Sequence, residues 1–154
     1  MIDKPQIVQT KHQHTAVIRL IVPRSEIQNV MGPAIGEVLA AIAAQGVSPA
    51  GPVFTYHFRR PTDTFDFEVG VPVTTHITAT GRVYQGQLPA TKSARTVYHG
   101  SYEGLGAAWG EFMNWIATEG HKPAWELWES YLSGPELSPD PSTWVTELTL
   151  PLVE

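Results

Sequence analysis

Two stretches of this chain repeat their apolar residues at helical spacing, and most of the others alternate or run apolar as strands do. Ile27, Val30, Met31, Ala34, Ile35, Val38, Leu39 and Ile42 recur every three or four residues, which predicts an amphipathic helix ending near Gly46. Ser25 followed by Gln28 has the form of a capping box at its start. Leu105, Trp109, Phe112, Met113 and Ile116 form the stripe of a second helix closing at Gly120, with Glu103 in the first turn, where the helix dipole favours negative charge. Strands are predicted at Thr15 to Val22, Val53 to Phe58, Phe65 to Val73, Ala94 to Tyr98, Trp125 to Leu132 and Trp144 to Leu150. Ile77 to Tyr84 is read as a strand that extends or pairs with the third of these. Turns are expected at Arg60 to Asp63 and, rich in proline, from Gly134 to Ser142.

The order strand, helix, strand, strand occurs twice. At a shift of 74 positions Ala34, Gly36, Glu37, Ile42, Ala43 and Gly46 fall on Ala108, Gly110, Glu111, Ile116, Ala117 and Gly120, and Pro49 falls on Pro123. This register predicts an internal duplication, with repeats at about 13–75 and 88–153 of one domain spanning 1–154. A glycine inside a helix costs about 1 kcal/mol relative to alanine. Its recurrence as Gly36 and Gly110 predicts close approach of each helix backbone to another element. The implied class is α+β, with two helices over antiparallel sheet and a central cleft between the repeats.

Composition narrows the function. The 154 residues are 42% hydrophobic and include five tryptophans, enough to build a core. A formal charge of −5 without a Lys/Arg cluster argues against direct nucleic-acid binding. With no cysteine, disulfides and thiolate chemistry are excluded, and a reducing cytoplasm fits. No uninterrupted apolar run approaches the roughly 20 residues of a membrane span, and the polar N-terminus does not read as a signal peptide. No cofactor is implied.

The chemistry concentrates in WELWESY, Trp125 to Tyr131. Strand alternation puts Glu129 and Tyr131 on one face, with Leu127 and Trp125 behind them. A carboxylate among rings is a binding or catalytic site; the alternative is a solvated Glu on an edge strand. If FTYH matches ESYL with a one-residue gap, Phe54 faces Glu129 and Tyr56 mirrors Tyr131; without the gap the parity flips and Thr55 takes the place of Phe54. His12 and His14 form a His-x-His pair with no third ligand suggested nearby, so they are read as solvated and no metal site is expected. His99 is read first as structural. No catalytic triad or phosphate loop is present in the sequence.

Taken together, FDFEVGVPV, LPATKSARTVYHGSYEGL, the aromatic helix AAWGEFMNWI, WESYL and TELTLPL resemble the GyrI-like small-molecule-binding domain, also found as the effector-binding module of some AraC-type and MerR-type regulators. The resemblance implies a duplicated fold of SHS2-type modules and a hydrophobic cleft for amphipathic, often cationic, ligands. The family's Glu-x-Tyr falls on Glu129 and Tyr131. Tyr98, His99 and Tyr102 match the segment before the second helix, and Trp109 lies where an aromatic often faces the cleft. Only about ten residues precede the first predicted strand, too few for a helix-turn-helix, so a complete transcription factor is not expected.

Three functions follow from these expectations. The first is binding of an amphipathic, cationic or aromatic small molecule, for sensing or sequestration. The second, implied by hydrolases in the family, is opening of cyclopropane-bearing alkylating compounds, with Glu129 as general acid or base and Tyr131 or Tyr98 orienting the substrate. The third is a protein partner, as for the family's gyrase inhibitors.

Overall fold

The computed structural model describes residues 2–60, 62–135 and 137–153. Pro61 of the expected Arg60 to Asp63 turn and Glu136 of the Gly134 to Ser142 turn lie outside the described residues. The chain divides into two compact units, one made of residues 1–10 with 91–154, the other of residues 11–90.

In the 11–90 unit, β2 (Gln13–Pro23) leads through a 3-10 turn (Arg24–Glu26) into α1 (Ile27–Ala44), followed by β3 (Phe54–His57), β4 (Thr64–Val73) and β5 (Tyr84–Leu88). The four strands are antiparallel in the order β3-β4-β2-β5. The second unit takes the short strand β1 (Gln6–Gln9) and then repeats the pattern: β6 (Lys92–His99), a 3-10 turn (Tyr102–Gly104), α2 (Leu105–Thr118), β7 (Leu127–Ser133), a 3-10 turn (Pro141–Thr143) and β8 (Val145–Pro151). Its order is β1-β6-β8-β7, again antiparallel. The class is therefore α+β, with antiparallel strands and one helix in each unit. We propose that the shared order of elements reflects a duplication within one domain.

Both helices end in the same way. Gly46 and Gly120 have φ of 73° and 78°, a conformation glycine adopts without penalty. Val47 and His121 donate to the carbonyls of Ile42 and Ile116, while Gly46 and Gly120 donate to Ala43 and Ala117. These are the paired bonds of a Schellman cap. The starts differ from expectation: Ser25 lies within the 3-10 turn, and the residue at the N-cap of α1, Glu26, makes no side-chain capping bond. Both helices are instead entered through 3-10 turns that use main-chain bonds.

Each helix lays its apolar stripe on its own strands. Ala34, Val38 and Ile42 meet Ala16, Ile18, Phe67, Val69 and Val71 in one core; Ala108, Phe112 and Ile116 meet Ala94, Leu127, Leu148 and Leu150 in the other. By length and composition alone the stretch Arg24–Ala44 would pass for a membrane span, as a core helix often does, and its Ala34, Val38, Ala41 and Ile42 are buried in the protein.

Three expectations need correction. Ile77 to Tyr84 is not a strand: Gly81, at φ 58°, turns the chain between the bridged Thr80 and Val83, and pairing to β2 begins at Tyr84. The sequence TATG-R supplied a tight turn where its β-branched residues suggested extension. The strand expected from Trp125 begins at Leu127. Gly36 and Gly110 meet no close neighbour, because nothing described stands within 4 Å of a Cβ at either place. The close approach is elsewhere, at Gly70, where a Cβ would fall 1.9 Å from the Ala16 carbonyl oxygen.

Gly36→Ala is expected to raise stability by about 1 kcal/mol in urea unfolding, whereas Gly70→Ala is expected to lower it by about 2 kcal/mol or more. His57 is 5% exposed and stacked on Phe67, and burial lowers its pKa from 6.5 to about 4. Between those values the unfolded chain binds a proton that the folded chain refuses. Stability should therefore fall as pH drops through that interval, by about 3 kcal/mol in total, and His57→Leu should remove this dependence.

Candidate functional site

The site is built on the alternation of β7. Leu127, on the side facing α2, packs in the core with Ala108, Phe112 and Ile116. Two residues on, Glu129 looks the same way and meets Trp109 of α2. The Trp109 indole N–H donates to Glu129 Oε2 at 2.6 Å, and the Tyr131 hydroxyl donates to Oε1 at 2.8 Å. Trp109 is itself seated on Phe112, at 5.7 Å between ring centroids. Burial pushes the Glu129 carboxyl above its ordinary 4.5, while the bonds from Trp109 and Tyr131 pull the other way.

Aromatic rings continue from Tyr131. Tyr102, in the 3-10 turn before α2, lies edge-on to it at 5.8 Å and tilted against Trp144 at 4.9 Å. Tyr102 is 38% exposed, so this end of the ring series opens to solvent. Trp144 was not foreseen as part of the site. It follows the turn Pro141–Thr143, where Asp140 accepts from the Ser142 N–H at 3.0 Å, and its indole donates to the Ser138 carbonyl at 2.9 Å. The signal was present as a helical-turn cap, Asp-Pro-Ser-Thr, immediately before a tryptophan.

The other expected residues are placed differently. Tyr98 is in the core, and its hydroxyl donates to the Ser101 carbonyl at 2.7 Å. A Cβ on Gly104 would come 2.1 Å from that hydroxyl oxygen, so the glycine lets Tyr98 brace the turn that carries Tyr102. His99, next along β6, looks the opposite way, with Nε2 3.2 Å from Asp3 Oδ2 at the surface. Trp125 is 76% exposed and lies before β7, outside the alternation that was to align it with Glu129.

Phe54 and Tyr56 belong to the 11–90 unit, and the ungapped parity applies there. Thr55 and His57 pair with Val69 and Phe67, which face α1, so Phe54 and Tyr56 face away from the helix, opposite Gly70 and Glu68. The correct comparison with Glu129 is thus through the helix-facing set. Glu68, 8% exposed on the helix-free face, was missed. The alternation Phe65, Phe67, Val69 would have found it, since it leaves Asp66 and Glu68 together on the other side.

His14 has a neighbour that the sequence did not suggest: its ring centroid is 5.0 Å from that of His12 and 4.3 Å from that of His76. Among the described residues, no group of three or more His, Cys, Asp or Glu is disposed to hold a metal ion.

Helix-backed antiparallel strands in two units of like order define the class, an α+β domain. Within that class the chain belongs to the GyrI-like small-molecule-binding domain family, whose model matches residues 3–153. Among solved structures it is similar to the EcmrR C-terminal domain, at 22% identity and a TM-score of 0.86, covering 98% of both chains. It matches EcmrR in a DNA complex over 98% of its own length and 57% of that chain, at 22% identity and a TM-score of 0.85. The structure of SAV2435 bound to tetraphenylphosphonium is similar over 98% of this chain and 94% of that one, at 12% identity and a TM-score of 0.66. A hydrolase from Listeria innocua is similar over 97% and 92%, at 13% identity and a TM-score of 0.69. A search of curated proteins finds no match.

The raised pKa of the half-buried Glu129 carboxyl has a measurable consequence. Unfolded, Glu129 titrates near 4.5; folded, it keeps its proton to higher pH. In that interval the folded chain carries a proton the unfolded chain has lost, so stability declines as pH rises from 4.5 through the folded value and is level above it. The difference in unfolding free energy between wild type and Glu129→Gln should show this decline in urea titrations from about pH 4 to about pH 8. A flat difference would mean that Glu129 ionises equally well in both states.

Proposed function

We propose that this protein binds lipophilic cations and planar aromatic compounds, with Glu129 as the polar anchor and Trp109, Tyr131, Tyr102 and Trp144 as the apolar contact surface. The observation that carries this reading is the Glu129 carboxylate, held by two neutral donors and by no cation within salt-bridge distance among the described residues. A carboxylate offers about four acceptor positions, and two are filled here. A cation approaching such a group gains about 4 kcal/mol of Coulomb energy at 4 Å in a medium of effective dielectric near 20. Each ring faced by the cation adds about 0.5–2 kcal/mol. Recognition by charge and apolar area selects loosely, which suits sensing or sequestration of varied compounds in the cytoplasm. The tetraphenylphosphonium bound to SAV2435, a protein of similar fold, supports this ligand class.

A second reading rests on the raised pKa. A carboxyl that holds its proton toward neutrality can serve as general acid or base, and a hydrolase from Listeria innocua shares the fold. On a cyclopropane, water would add across the strained C–C bond, with its oxygen on one carbon and a proton delivered to the other. Glu129 would take a proton from the water or supply one, and Tyr131 would orient the substrate. The bonds already made to both Glu129 oxygens favour the binding role, because they stabilise the anion over the protonated acid.

The test is tryptophan-fluorescence titration with tetraphenylphosphonium and with its neutral analogue triphenylphosphine oxide. Saturable quenching by the phosphonium is expected, weakened about tenfold or more by Glu129→Gln, with little change for the neutral compound. Absence of saturable binding, or equal affinity in both proteins, would overturn the binding reading. Mass spectrometry of a cyclopropane-bearing electrophile after incubation decides the second reading: a product one water heavier, formed by wild type and not by Glu129→Gln, is the mark of hydrolysis.

A further inference from the structure

A second carboxylate lies on the helix-free face of the 11–90 unit, in a setting that the site around Glu129 does not use. Across β3, β4 and β2, Tyr56, Glu68 and Arg19 form one row, since Glu68 is the register partner of both Tyr56 and Arg19. Tyr84 on β5 donates its hydroxyl to Glu68 Oε2. It is the only hydrogen-bond donor to Glu68 among the described residues, which leaves Oε1 open. That oxygen borders Gly86: a Cβ there would stand 3.4 Å from it, so any larger residue would begin to cover it. An open depression of about 250 Å³ lies above, lined by Glu68, Tyr56, Phe58, Tyr84, Gly86 and Pro89 among others.

The local charge is also unmatched. Arg19 is the nearest cation by register, but its guanidinium is committed to Asp66, at 2.9 and 2.8 Å, and lies over the Phe58 ring at 4.8 Å. No described cation forms a salt bridge with Glu68. Burial pushes the Glu68 carboxyl up, against the Tyr84 bond and the more distant Arg19 charge. A carboxylate more than nine-tenths buried normally has a cationic partner or a full set of donors. This one has a single donor and an opening.

We propose that this depression is a second ligand site, selective for a small primary or secondary ammonium carried on an aromatic group. The open Oε1 calls for an N–H donor, which a quaternary ammonium or a phosphonium lacks. The rings of Tyr56, Phe58 and Tyr84 supply cation–π and apolar contact. The volume lies below the roughly 300–1,000 Å³ usual for drug-sized ligands, which restricts the site to compounds of about one ring. The preference for N–H separates it from the Glu129 site, and it does not depend on the function proposed there.

The experiment is isothermal calorimetry of the full chain with 2-phenylethylamine as probe, and with phenyltrimethylammonium as the quaternary control. Saturable binding of the amine is expected, with the control weaker by about tenfold or more. Glu68→Gln should weaken the amine by a similar factor, and should do so equally in a Glu129→Gln background, where cation binding at Glu129 no longer enters the comparison. Phe58 is 37% exposed, so Phe58→Leu is expected to fold normally and to weaken the amine several-fold; it carries the test should Glu68→Gln fail to fold. Failure of the amine to bind, equal binding of amine and control, or binding insensitive to both Glu68→Gln and Phe58→Leu would overturn the proposal. Tetraphenylphosphonium binding would be unaffected by any of these results, so failure here is distinguishable from failure of the Glu129 reading.

Discussion

A carboxylate drawn out of water has to be compensated, and at Glu129 the compensation comes from two neutral donors placed by different elements. Tyr131 is supplied by the strand itself, two residues along, so its position follows from the pleat. Trp109 is supplied by α2, and it reaches the carboxylate only because Phe112 and Ile116 hold that helix on Leu127, Leu148 and Leu150. The site therefore depends on the core beneath it. Loosening the α2 stripe would move the indole, leave Oε2 without its donor and drive the carboxyl further toward its protonated form.

The turn before α2 is tied to the same arrangement through packing and not through charge. Tyr98 rises from the core to bond the Ser101 carbonyl, and the absence of a side chain at Gly104 is what lets it. That brace sets the backbone from which Tyr102 projects toward Tyr131 and Trp144. Tyr98 thus acts on this ring series through the backbone of the turn.

Strand parity explains most of what the sequence showed and what it hid. The helices, their glycine stops and the repeated order of elements were legible, because hydrophobic period and left-handed glycines are local signals. Glu129 and Tyr131 were legible because both lie on one strand. Residues whose place depends on pairing were not. The position of Phe54 and Tyr56 turned on a one-residue register, and the ladder to β4 assigned them to the helix-free face. Trp144 and His76 come near their partners only through turns whose geometry no periodicity encodes. Gly36 and Gly110 show the limit of the repeat argument, since matching position in two copies did not imply close contact in either.

The two carboxyls, Glu68 buried and Glu129 half-buried, bear on stability in the same sense. Both Glu68 and Glu129 are pushed above their ordinary range chiefly by burial, so each makes the folded state less favourable as pH rises through its own interval. A glutamine at either position would keep much of the shape and avoid that penalty. A buried acid with few donors is weak support for a fold but a useful contact for a cation, whose arrival would restore the missing interaction and stabilise the folded chain by mass action. The fold thus carries two carboxyls whose donors only partly offset their loss of water.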